Sequence, residues 1–434
     1  MDIWVEPAPG FDHEKDEYGT KVYKLKKALY GTKQASREWQ NTLARFLQDD
    51  LKFERSTTDP CVFKHKSAEH GWIIVGIYVD DIIVAHDHKG FEWFKSEFTH
   101  RFTSKHIGKL NWFLGIGVDQ HSDYSVSINQ KQYIQNLVEK YLKGHTSKQR
   151  LHPQSDKFAK LRGAINDEER AAVHDLPYMN LVGALLYITV MTRPDCAYHT
   201  SMLAKFMSCP TVECYELAII LLQYIANDPD ISIHYDGSRD APVVTDKIGR
   251  NPLRSHAGSI RANGGFIAYS DASWGPGVDY PMFGFVIYLF GGVISYSSKQ
   301  LKIVCFSSCE AEYAAAAGCC KEISFIRKLC ADMGFMLTGR LVLLVDNTAA
   351  IDVAENVGVT AKTKHFETCI HYFRHEVQHG RMIPIHILTN FQRADGFTKG
   401  LDRTKFIEWA KALYDRHVHT IYKGVTNSVY TRCV

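Results

Sequence analysis

Between Gly71 and Ala85 the chain reads Gly-Trp-Ile-Ile-Val-Gly-Ile-Tyr-Val-Asp-Asp-Ile-Ile-Val-Ala. β-Branched runs on both sides of Tyr78-Val79-Asp80-Asp81 predict two short buried strands joined by a tight acidic turn. Phe91, Phe94 and Phe98 predict a helix, Tyr124 to Ile128 a strand, and Tyr133 to Leu142 a second helix. Gly144 to Asp167 is polar, basic and poor in apolar residues, so a loop or linker is expected there. Leu176 to Ala226 predicts largely helical structure, interrupted at Thr192-Arg193-Pro194. Residues 227 to 263, with Asn227-Asp228-Pro229-Asp230 and several Gly and Pro, predict a second boundary.

After Gly264 the pattern turns to short apolar runs ending in acids. Gly265 to Asp271 predicts a strand, and Phe283 to Phe290 with Val293 to Ser297 predict a hairpin connected through Gly291-Gly292, where glycine supplies positive φ. Leu341 to Asp346 predicts a buried strand, Thr348 opens a helix, and Met382 to Leu388 predicts another strand with Asp395 shortly beyond. Acids at the ends of buried strands can converge on one rim of a sheet.

Composition narrows the picture. The 434 residues, 45% hydrophobic and 23% charged, suit a globular chain with two or three cores. A net charge of +3 gives no global pull on polyanions, so any nucleic-acid contact must come from local basic patches. The eleven cysteines occur at no zinc-like spacing and read as reduced thiols of an intracellular protein. The N-terminus is acidic and contains Pro7, unlike a signal peptide, and runs such as Leu181 to Met191 are too short for a bilayer, so no membrane partner is expected.

Three features carry candidate chemistry. Adjacent carboxylates between buried strands are costly unless cations hold them, so Asp80 and Asp81 read either as metal ligands or as an ordinary solvated turn. Lys21 to Trp39 mixes six cations with aromatics. It reads as a nucleic-acid surface, with Lys26, Lys27, Lys33, Gln34 and Arg37 as candidate contacts, or as a solvated amphipathic helix. After Gly264, Asp271, Asp346 and Asp395 are joined by Glu310 or Glu312. These two glutamates point about 200° apart on a helix, so only one can face the sheet. Ser307 and Glu310 have the spacing of a capping box, which leaves Glu312 to approach any metal. Each acid taken singly also reads as a solvated loop carboxylate or helix cap. His365, His371 and His375 read as exposed polar-face residues or phosphate contacts on or beside a helix ending near Gly380, not as ligands.

The ordered segments Lys24 to Trp39, Asp59-Pro60-Cys61-Val62-Phe63, Tyr78-Val79-Asp80-Asp81, Leu110 to Ile116, Gln130 to Ile134, Tyr178 to Tyr187 and Thr192 to Asp195 resemble the reverse transcriptase of Ty1/copia-type LTR retrotransposons. Ser270-Asp271-Ala272, Ser297 to Gln300, Ser307 to Tyr313, Asp346-Asn347, Lys364-His365 and Ala394 to Lys399 resemble the RNase H domain that follows it. The resemblance implies a mixed α+β and α/β fold: a partial palm over 1–145, a helical thumb or connection region over 146–263, an RNase H-like mixed sheet flanked by helices over 264–405, and a C-terminal tail over 406–434. It implies that Asp271, Glu312, Asp346 and Asp395 hold two Mg²⁺ ions, with Mn²⁺ as substitute, and that Asp80 and Asp81 are metal-binding acids of the polymerase. The implied partners are an RNA template, a DNA primer and an RNA:DNA hybrid, in the cytoplasm, in virus-like particles or in the nucleus. In the family a strand carrying the first catalytic Asp precedes the segment at which this chain begins, so an impaired polymerase beside a working nuclease is expected. The alternative is a non-catalytic relic or co-opted protein that binds hybrids through Lys21 to Arg37.

Overall fold

The computed structural model describes residues 3–6, 15–16, 19–20, 22–29, 31–87, 89–143, 150–237, 243–244, 260–261, 265–275, 280–337, 340–356 and 371–414. It divides into two units, Met1–Ile107 with Arg327–Met336 and Gly108–Ile326 with Leu337–Val434.

In the first unit the β-branched runs form the strands read from them. Gly71–Tyr78 and Asp81–His86 pair antiparallel with Tyr78 opposite Asp81, and Val62–Ser67 and Glu54–Arg55 complete a four-stranded meander. Side chains alternate across a strand, so Ile73, Val75 and Ile77 share the buried face. They pack with Leu43, Leu47, Phe53, Phe63 and Phe94. The helix Lys33–Arg45, its π-helical extension to Asp50, and the helix Phe91–Arg101 carry Leu43, Leu47 and Phe94, while Phe53 lies in the segment just before Glu54–Arg55.

The turn between Gly71–Tyr78 and the edge strand Asp81–His86 is tight enough to force Val79 to φ 53°. A β-branched residue there is strained by about 1–2 kcal/mol. The Trp39 indole N–H donates to the Val79 carbonyl at 2.8 Å and helps hold this conformation. Val79→Asn, which tolerates the left-handed region, is expected to stabilise the first unit by up to about 1 kcal/mol. Denaturant unfolding of the full chain measures this, and unchanged or lower stability would show that the turn stores no such strain.

In the second unit a four-stranded antiparallel sheet runs in the order Ile233–Tyr235, Val126–Asn129, Ile116–Gln120, Trp112–Phe113. The strand Ile233–Tyr235 lies in the stretch read as a boundary. Three residues are too short to show a periodicity, and its place depends on pairing with Val126–Ile128. The helices Lys131–Tyr141, Tyr178–Met191, Ala197–Ala204 and Val212–Asn227 follow the apolar pattern, with the break at Pro194 as expected.

The region expected to be a linker is partly core. Ser155, Phe158, Leu161 and Ala164 are buried, and Ser155–Phe158 is a short helix. Polar composition misled because two of its polar side chains find partners inside the fold: His152 Nε2 lies 3.1 Å from the Leu401 carbonyl, and Ser155 Oγ lies 2.8 Å from His199 Nε2.

His199 carries a pH prediction. Burial, then the neighbouring His152, drives its imidazole down to about 3 from the ordinary 6.5. The unfolded chain therefore takes up a proton below about 6.5 that the folded chain refuses. The contribution is complete above that pH and is lost as pH falls toward 3, by up to about 1.4 kcal/mol per unit. His199→Gln should flatten this part of the stability profile between pH 6.5 and 4.5, as followed by melting temperature. An unchanged slope would remove His199 as its source.

The second sheet of this unit has five strands: β1 (Ile267–Ser273), β2 (Met282–Leu289), β3 (Gly292–Gln300), β4 (Leu341–Val345) and β5 (Met382–His386). Their order is 3-2-1-4-5, with β1, β2 and β3 antiparallel and β4 and β5 parallel to β1. The β2–β3 connection places its positive φ at Phe290 and Gly291, one residue earlier than the Gly-Gly reading. This mixed sheet, flanked by the helices Ser308–Asp332, Thr348–Glu355, Tyr372–Gln378 and Arg403–Tyr414, is the RNase H-like architecture that the resemblance implied.

One face of the sheet, including Tyr269, Val286, Val342 and Ile385, shares a single apolar core with Leu181, Leu185, Leu217 and Leu221 of the preceding helices. Residues 403–414, where a tail was expected to begin, form a helix whose Phe406, Trp409 and Leu413 enter that core.

Candidate active site

Parallel register creates the first half of the site. Ile267, Ala268 and Tyr269 lie beside Val342, Leu343 and Leu344, so two residues further on Asp271 and Asp346 reach the same sheet edge. The third acid arrives on the helix Ser308–Asp332. Its first turn is fixed by Ser307 Oγ, which accepts the Glu310 N–H at 3.2 Å, while the Glu310 carboxylate accepts the Phe306 N–H at 2.8 Å. Glu310 thus has a capping role, although its carboxylate takes the N–H one residue before the cap and not that of Ser307. Glu312 is left to face the sheet, and ligand oxygens of Asp271, Glu312 and Asp346 lie within 4.8 Å of one another.

Asp395 comes from the turn after β5. A bare backbone at Gly284, directly opposite Asp271 in β2, admits this turn: a Cβ there would lie 2.4 Å from Phe397 Cβ. Ser298 donates to the Phe397 carbonyl at 2.6 Å, and Gln392 donates to the Ser270 carbonyl at 2.9 Å. Thr398 donates to Asp271, Thr389 donates to Asp346 at 3.2 Å, and the Lys399 ammonium lies 2.8 Å from Asp395.

The electrostatics follow from this crowding. Burial first, then Asp395, raises the Asp271 carboxyl above its usual range. Burial, then Asp271 and Asp346, raises Glu312 much further. Asp346 is raised chiefly by burial, with the Thr389 hydroxyl opposing. Burial alone would lower Lys399, but Asp271, Asp395 and Asp346 outweigh it and hold the ammonium above its ordinary value. Glu312 Oε2 is buried and finds no hydrogen-bond partner among the described residues. An all-carboxylate donor set with an unsatisfied buried oxygen fits a hard divalent cation.

The other sequence candidates lie elsewhere or have less company. Asp80 and Asp81 are exposed at their turn in the first unit. Lys26 and Lys27 are exposed in the loop before the helix Lys33–Arg45, and Gln34 and Arg37 are exposed on that helix. The amphipathic-helix reading of Lys21 to Trp39 therefore applies only to its second half, because Tyr23–Lys24 pairs as a strand with Trp4–Val5. His365 lies outside the described residues. His375 is exposed, as read, but His371 is half-buried with its ring 6.2 Å from that of Tyr313. The described cysteines are free thiols.

Thr398, Lys399, Thr389, Gln392 and Gly284 received no role from sequence reasoning. Gly284 alone carried a local signal, being a glycine inside an otherwise apolar strand.

Residues 1–149 match the reverse transcriptase (RNA-dependent DNA polymerase) family. The retrovirus-related Pol polyprotein from transposon TNT 1-94 of Nicotiana tabacum is 28% identical over 96% of this chain, and that from transposon RE1 of Arabidopsis thaliana is 31% identical over 95%. The chain is similar to Pol polyproteins of plant and yeast retrotransposons. It spans 30% and 26% of those two polyproteins, less than a third of either. A putative transposon Ty5-1 protein of Saccharomyces cerevisiae is 28% identical over 74% of this chain and 95% of its own length. Among solved structures, LC11-RNase H1 in complex with RNA/DNA hybrid is similar over 31% of this chain and 93% of its own, at 18% identity and a TM-score of 0.23. No helix among the described residues is long and apolar enough to cross a membrane.

Proposed function

We propose that the second unit hydrolyses the RNA strand of an RNA:DNA hybrid with two Mg²⁺ ions, as part of a retrotransposon reverse transcriptase and ribonuclease H. The convergence of Asp271, Glu312 and Asp346 within 4.8 Å carries this reading. With Asp395 they would hold the ions, which supply an activated water and stabilise the leaving 3′ oxygen, and Mn²⁺ would substitute. The residues' own part is to keep acceptor oxygens fixed. Parallel strands hold Asp271 and Asp346 side by side, and the capped helix aims Glu312 at both. Thr398 and Thr389 each donate a hydroxyl to one carboxylate, limiting its rotation and leaving its other oxygen for a cation.

In the first unit, Asp80 and Asp81 are proposed as metal-binding acids of a palm-type polymerase acting on an RNA template and DNA primer. Lys26, Lys27, Lys33, Gln34 and Arg37 are proposed as contacts to the nucleic-acid backbone. The division proposed is a palm-type region over 1–145, a thumb or connection region over 146–263, and an RNase H-like domain from 264 that takes in the helix Arg403–Tyr414. The working location proposed is the cytoplasm, a virus-like particle or the nucleus.

The exposure of Lys26, Lys27, Gln34 and Arg37 also supports a second reading, a non-catalytic protein that binds hybrids. Incubation of the full chain with end-labelled hybrid in Mg²⁺ or in EDTA discriminates the two. Cleavage of the RNA strand in Mg²⁺ alone is expected. Retention of intact hybrid in both buffers favours the binder.

A further inference from the structure

We propose that the Lys399 ammonium is a built-in occupant of the carboxylate rim that competes with divalent metal for Asp395. The proposal rests on the metal-centre reading and adds a residue that sets how tightly the centre loads. Lys399 lies one helical turn beyond Asp395, with Nζ 2.8 Å from Asp395 Oδ1. The Asp395 side chain is 16% exposed and that of Lys399 47% exposed, so the acid is fixed in the rim while the amine borders solvent.

Thr398 and Lys399, consecutive in the chain, grip different acids by different means. Thr398 is buried, donates its hydroxyl to Asp271 and lies 3.0 Å from the Asp395 carbonyl. A neutral hydroxyl can keep its bond while Asp271 ligates a cation through its other oxygen. The ammonium is different: a divalent ion on the same carboxylate would face a positive charge about 4 Å away and be repelled by it. Lysine's four-carbon stem offers the release, because it can swing the charge outward without moving the backbone. In the metal-free protein Lys399 offsets part of the repulsion among Asp271, Asp346 and Asp395, and on loading it must leave.

Titration of the full chain with Mn²⁺ by calorimetry tests this. Lys399→Gln should bind Mn²⁺ on the order of tenfold more tightly than wild type, within the usual range for two coupled ligands. Lys399→Arg should stay near wild type. In EDTA, Lys399→Gln should melt below wild type and gain more on addition of Mn²⁺.

Equal or weaker affinity in Lys399→Gln overturns the proposal and leaves the metal centre standing. Absence of Mn²⁺ binding in wild type and variants alike overturns both. In the unmutated chain, modification of Lys399 by acetic anhydride, read by mass spectrometry, should rise when Mn²⁺ is added. Unchanged reactivity in a Mn²⁺-loaded chain would mean that the ammonium is not displaced.

Discussion

Asp346→Asn is expected to lower Mg²⁺-dependent cleavage of the hybrid's RNA strand by at least about 10²-fold, the size of effect seen when one fixed transition-state-stabilising group is lost. The change keeps the shape of the side chain and its position at the end of β4, so Thr389 retains a partner. It removes one negative charge from a group in which burial and mutual repulsion already raise Asp271, Glu312 and Asp346. The metal-free variant should therefore melt no lower than wild type, because repulsion is relieved while the Thr389 hydrogen bond is kept. Activity and metal-free stability moving in opposite directions is the signature of a ligand, whereas a structural acid would lose both. A variant that keeps more than about a tenth of wild-type cleavage would contradict the roughly 10²-fold expectation and remove Asp346 from the centre.

The second large effect is expected at Asp195. The Arg193 guanidinium and the Asp195 carboxylate, 1% and 0% exposed, form a bidentate pair at 3.0 and 2.8 Å. Tyr224 and Tyr414 each donate a hydroxyl to Asp195 at 2.6 Å. Burial would push the Asp195 carboxyl up, but Arg193 outweighs it and the group is held below its ordinary value, so the pair stays ionised.

Among the described residues, Asp195→Ala leaves the buried guanidinium hydrogen-bonded to the Ile225 and Asp228 carbonyls, at 3.4 and 3.2 Å, beside the Tyr224 ring. The cost should be about 3–5 kcal/mol. Because Tyr414 belongs to the helix Arg403–Tyr414, the loss should loosen that helix along with the segment around Pro194. The double change Arg193→Met with Asp195→Leu should recover much of the stability, since replacing a buried pair by apolar groups is far milder than stripping it. Urea unfolding of the full chain measures both. A loss below about 1 kcal/mol in Asp195→Ala would show that water or rearrangement relieves the orphaned arginine.

By itself the sequence determined the local events. The β-branched runs on either side of Asp80-Asp81 pointed to a strand pair, because short β-branched runs bounding a tight turn suit strands. Ser307 and Glu310 marked a helix start and so turned Glu312 toward the sheet. Apolar runs ending at Asp271 and Asp346 put acids at strand ends, since hydrophobic periodicity and capping are short-range properties of the chain.

Tertiary structure decided which of these ends meet. Parallel register between β1 and β4 set Asp271 beside Asp346, and the missing side chain at Gly284 let the turn with Asp395 close over the sheet. The same holds for Lys399 on its acid, for Ser155 and Phe158 in the core, and for Ile233–Tyr235 as a strand. Each depends on a partner far away in sequence, and no local pattern records the identity of a distant neighbour.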